Sequence, residues 1–61
     1  MTTIKSMDTT LLKMQMMADL KYKAGRLQEA LTGWTAAANY AEAIGKDEAA
    51  KALRQRVATL T

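Results

Sequence analysis

A chain of 61 residues forms one domain at most and buries only about 60% of the surface that it exposes when unfolded, so its core supplies on the order of 3–5 kcal/mol. The absence of Cys and His excludes disulfide staples, thiolate or imidazole metal ligands and an imidazole base, which leaves tight helix packing or self-association as the stabiliser, and association is the expectation. Nine Lys or Arg against six Asp or Glu give a net charge of +3, an excess that suits an acidic partner or nucleic acid and demands neither.

The first residues, Met1-Thr2-Thr3-Ile4-Lys5-Ser6, carry no apolar stretch behind their lysine, so no signal peptide is expected. No apolar run approaches the length of a membrane span, and a chain without cysteine fits a reducing compartment. The expected location is cytoplasmic, without a membrane partner. Residues 1–8 lack helical periodicity and predict a flexible lead-in to a single three-helix domain, residues 9–61. Asp8 or Thr9 is placed to cap a first helix. Leu11, Met14, Met17 or Ala18, and Tyr22 then recur at steps of three and four, with Leu12, Met16 and Leu20 widening the stripe. The spacing predicts a helix over about 9–24.

Gly25 ends that helix, since glycine enters the left-handed region without a side-chain penalty, and Lys21 and Lys23 place cations in its last turn. The second pattern, Leu27, Ala30, Leu31, Trp34, Ala37, Ala38, Ala41 and Ile44, follows the 3.6-residue period over nearly five turns. Gly45 closes it, Asp47 is placed to cap a third helix, and Glu48 falls in that helix's first turn. Ala50, Leu53, Val57 and Leu60 give the seam of this third helix, over about 47–60. With no Pro and no β-branched alternation, the fold class is all-α: a two-helix hairpin plus a third helix, a small helical bundle completed by self-association.

The expected structural core is Leu27, Ala30, Leu31, Trp34, Ala37, Ala41, Leu53 and Val57, with Trp34 at its centre. Gly33 costs about 1 kcal/mol relative to Ala inside a helix; with Ala37 it makes a small-xxx-small pair where another helix, internal or a partner's, can approach closely. The first helix carries large apolar side chains on more than one face. Leu11, Met14 and Met17 define its seam, and Leu12, Met16 and Leu20, lying off that direction, are the expected partner-binding residues. The same surplus predicts a homo-oligomer, with a two-fold dimer favoured. Lys21, Lys23 and Arg26, and Lys51, Arg54 and Arg56, form basic faces without interleaved exposed aromatics, so nucleic-acid binding is only weakly supported. The acidic residues Asp19, Glu29, Glu42, Asp47 and Glu48 are dispersed over different turns, and Ser6 has no base beside it. No convergent catalytic pair is present, and neither an enzyme nor a cofactor or metal is expected.

Gly25, Leu27, Ala30, Trp34 and Ala37 resemble the second half of a tetratricopeptide repeat. One such unit, against the three or so that repeat arrays need, does not imply a solenoid. A closer likeness in length and layout is to the ANR family, the small negative regulators of AraC-type transcription activators from Gram-negative bacteria and their mobile elements. Gly25, Ala30, Trp34, Ala37, Ala41 and either Arg54 or Arg56 carry it, over roughly residues 17–56. The resemblance implies a bacterial or phage anti-activator that binds an AraC-type protein directly and prevents its DNA binding or dimerisation. The alternative is a phage- or plasmid-type oligomeric helical module that binds another host protein, or a small ligand at its subunit interface.

Overall fold

The computed structural model describes residues 2–61, with side chains from Thr9 onward. The described residues form three α-helices: α1 (Thr2–Lys23), α2 (Leu27–Ala43) and α3 (Asp47–Leu60). The bounds of α2 and α3 match the apolar spacing to within a residue. Helix α1 is bounded at Thr2, so Asp8 and Thr9 stand inside it and not at its start; no Pro or Gly lies between Thr2 and Ala24 to interrupt a helix there. The side chains of the predicted lead-in, residues 1–8, lie outside those described.

Both turns have one construction. Gly25 and Gly45 each adopt φ of 82°. In the first turn the Gly25 N–H donates to the Tyr22 carbonyl and the Arg26 N–H to the Lys21 carbonyl; in the second, Gly45 donates to Glu42 and Lys46 to Ala41. Each pair is a Schellman closure, which satisfies carbonyls that the helix end leaves unpaired. The chain re-enters helix at once, through Arg26 (φ −97°, ψ 70°) and Lys46 (φ −97°, ψ 69°), neither with a side-chain cap. This corrects the role expected of Asp47. The turn consumes Gly45 and Lys46, the Lys46 carbonyl accepts the first bond of α3 from Ala50, and Asp47 becomes the first helical residue. There, with Glu48, it still faces the positive end of the helix dipole.

Helix α2 is the middle element and packs against both neighbours. The core comprises Leu11 and Ala18 of α1, Ala30, Leu31, Trp34, Ala37, Ala38 and Ala41 of α2, and Ala50 and Leu53 of α3. Six of these ten are alanine, so the helices meet through small side chains around one large ring. Met14, Tyr40, Ile44, Ala49, Val57 and Leu60 pack against this cluster from its edges. Val57 is therefore half-buried. Leu27, expected in the core, is 39% exposed. Trp34 lies beside Arg56, and Glu42 beside Arg54, so α2 and α3 run antiparallel and the first turn of α2 projects past Leu60, the last residue of α3.

The seam of α1 runs through Leu11 and Ala18, with Met14 beside them, and Met17 points away from it at 62% exposure. Gly33 explains the preference for alanine at position 18. A Cβ on Gly33 would stand 3.0 Å from the Ala18 Cβ and 3.5 Å from its Cα, inside the separation of about 3.5–4.0 Å at which carbon atoms attract best. The helix that approaches Gly33 is thus internal. Gly33→Ala should lower the melting temperature despite a propensity gain of about 1 kcal/mol, because overpacking costs about 1–3 kcal/mol. Adding Ala18→Gly, which moves the methyl group across the interface, should restore it. A Gly33→Ala chain that melts above wild type would show that the two helices have room to spare.

Candidate functional site

Successive residues of a helix turn by about 100°, which carries Leu12, Met16 and Leu20 around to the side of α1 facing away from Leu11 and Ala18. They are 57%, 54% and 64% exposed. Met17 extends the same face. The three residues expected from the sequence to bind a partner therefore stand together on one uncovered surface, and Met17, expected in the seam, stands exposed beside them. Its signal was Gly33, whose missing side chain calls for a small residue opposite and so selects Ala18 over Met17 for the seam. The four side chains carry no charge, and the exposed Lys13 stands among them, so a partner that covers the face has to leave that ammonium in water or pair it.

The basic side chains are largely engaged within the molecule. Lys21 Nζ lies 2.9 Å from Glu29 Oε1 and Arg26 Nη1 3.2 Å from Glu29 Oε2, tying the end of α1 to the start of α2. Arg54 Nη2 donates to Glu42 Oε1 at 2.8 Å and to Asn39 Oδ1 at 3.1 Å, tying α3 to α2. Arg56 Nη1 reaches Asp19 Oδ1 at 3.3 Å, and its guanidinium carbon sits 5.1 Å from the centroid of the Trp34 ring. Arg54 and Arg56 are thus clasps between helices. Exposed pairs of this kind, screened by water and salt, add little to stability one by one.

The Lys21 hydrogen bond is the main reason that the Glu29 carboxyl titrates below its ordinary value; partial desolvation opposes it, and the charges of Lys21 and Arg26 and the Arg26 hydrogen bond add to it. A carboxyl depressed in the folded state stabilises the fold above its unfolded pKa, and that contribution is lost as pH falls through the folded value. Lys21→Gln should raise the Glu29 midpoint in a side-chain NMR titration. An unchanged midpoint would mean that the pair does not persist in solution.

A groove of about 420 Å³ opens between the C-terminal turns of α1 and α3, lined by Asp19, Tyr22, Lys23, Trp34, Arg56, Thr59 and Leu60. Trp34, 2% exposed, belongs to its lining, and the Tyr22 ring lies 5.6 Å from it at 49°, a tilted geometry that suits aromatic quadrupoles. The Trp34 Nε1–H is buried and has no acceptor within reach, a desolvation cost of about 1–3 kcal/mol carried by the ring that joins all three helices. The only carboxylate in this lining, Asp19, is held by Arg56. Among the described residues no three His, Cys, Asp or Glu side chains converge as a metal site, and no helix is long and apolar enough to cross a membrane. Comparison with family models, curated proteins and solved structures found no match for the chain.

Proposed function

We propose that this chain is a protein-recognition module working through the outer face of α1, and that its target is an AraC-type transcription activator, whose DNA binding or dimerisation it blocks in the cytoplasm of a bacterial host. The observation that carries the recognition role is the exposure of Leu12, Met16, Met17 and Leu20 on one face of α1, with the exposed Lys13 among them. The largest contiguous apolar patch on a monomer is often a functional one, above all where polar residues rim it. Leu12, Met16 and Leu20 at four-residue steps suit the docking of one helix face into an apolar groove of the target, and methionine adapts to irregular partner surfaces. The choice of target rests on the resemblance of Gly25, Ala30, Trp34, Ala37 and Ala41, with Arg54 or Arg56, to the ANR negative regulators. Of the two arginines, Arg56 fits a shared architectural role better, since it covers Trp34.

A mobility-shift titration with a purified AraC-type activator on its operator duplex tests this reading. Excess chain should release the activator from the duplex while leaving bare duplex unshifted. An activator–operator band that persists at saturating chain would overturn the anti-activator role. A shift of bare duplex by the chain alone, weakening as salt rises, would replace it with direct nucleic-acid binding through Lys13, Lys23 and Lys51.

A further inference from the structure

We propose that Met16 and Met17 form a modification site for two-electron oxidants of the peroxide class, and that their conversion to sulfoxides switches off the outer face of α1. The switching rests on the reading of that face as the recognition surface; the site itself does not. The first observation is where the sulfurs stand. The chain has no cysteine, so its thioethers are its only sulfur groups open to reversible oxidation. Met16 and Met17 are 54% and 62% exposed, whereas Met14 is half-buried and packs against the core. A peroxide has to reach a sulfur lone pair, so the two outer methionines react ahead of Met14. In each step the thioether sulfur attacks one peroxide oxygen and the O–O bond breaks. The sulfur is oxidised by two electrons and gains the S–O bond, and the peroxide is reduced to water, the proton of the transferred oxygen passing to the departing one.

The second observation is what surrounds them. Met16 lies between Leu12 and Leu20 at four-residue steps, and Met17 extends the same face, so two sulfoxides turn the middle of an apolar patch polar. The exposed Lys13 stands three and four residues before them, the spacing at which helix side chains meet. Its ammonium can donate to either sulfoxide oxygen, whereas a thioether is only a weak acceptor. Both methionines face away from Leu11 and Ala18, so their oxidation leaves the packing of α1 on α2 in place.

The test maps the folded chain by peptide mass spectrometry after treatment with dilute hydrogen peroxide, which is then removed. Met16 and Met17 should be converted well before Met14, with helicity by circular dichroism unchanged. In the mobility-shift titration the oxidised chain should release an AraC-type activator from its operator roughly 5- to 150-fold less well, the factor for burying a polar group in an apolar contact. A pair of methionine sulfoxide reductases, one for each sulfoxide epimer, should restore the release. Met7→Leu, which removes a methionine outside the described side chains, should respond to peroxide as the wild type does. Met14 oxidised as early as Met16 and Met17, helicity lost on oxidation, a Met7→Leu chain that no longer responds, or an oxidised chain that still strips the activator would each overturn the proposal. The last of these keeps the proposed function. An untreated chain that leaves the activator bound would end that function, and the order of oxidation would still decide the site.

Discussion

Trp34→Ala should abolish the folded state at ambient temperature. Removing a buried large aromatic costs about 3–5 kcal/mol, which equals what a core of this size supplies, and few other large side chains can refill the space. Six of the ten core residues are alanine, already at their smallest useful size. The loss also reaches all three helices at once, because Trp34 of α2 takes the Tyr22 ring of α1 on one side and the Arg56 guanidinium of α3 on another. Circular dichroism should show helical signal falling toward that of an unfolded chain, with no cooperative melt. Trp34→Phe should be milder, since it keeps a ring and removes an indole N–H that has no acceptor. A Trp34→Ala chain with wild-type helicity and melting temperature would mean that the three helices are held by something other than this ring.

Met16→Asp should separate folding from recognition. Met16 faces away from the core, so the folded chain loses little beyond the helix propensity of the site, about 0.7 kcal/mol or less. At an apolar interface the same carboxylate has to be desolvated, which costs about 2–5 kcal/mol, a loss of roughly 30- to 5,000-fold in affinity, and pairing with Lys13 three residues back returns only about 0.2–0.5 kcal/mol of it. Helicity and melting should stay close to wild type while association with the target is lost. Full retention of binding would remove the outer face of α1 from the account. Arg54 and Arg56 make poor controls for the basic alternative because they clasp α3 to its neighbours; Lys51, exposed on α3 and away from the outer face of α1, is the better choice.

The parts of the fold that depend on local chemistry were legible in the residues. Gly25 and Gly45 mark the two turns because only a residue free of Cβ strain sits easily at φ near 82°, and the apolar period of α2 and α3 has one unambiguous stripe. Helix α1 has no such single stripe. With Leu11, Leu12, Met14, Met16, Met17 and Leu20 on it, periodicity alone admits either Met17 or Ala18 at the seam, and the choice depends on Gly33, fifteen residues further along in another helix. Leu27 and Asp47 were misplaced for a related reason. Each lies at a turn, where a shift of one residue decides between cap and helix, and between a covered and an open end. The clasping roles of Arg54 and Arg56 were hidden because their partners, Glu42 and Asp19, are brought near by tertiary packing. The outer face itself was visible as Leu12, Met16 and Leu20, since apolar residues on more than one face of α1 cannot all be covered by α2, the helix that packs against it.

The most direct test of that face as the working surface uses the methionines as built-in probes. In methyl NMR spectra of the chain titrated with an AraC-type activator, the Met16 and Met17 resonances should shift or broaden as the complex forms, while that of Met14, packed against the core, stays in place. Formation of the complex with Met16 and Met17 unmoved would contradict the account.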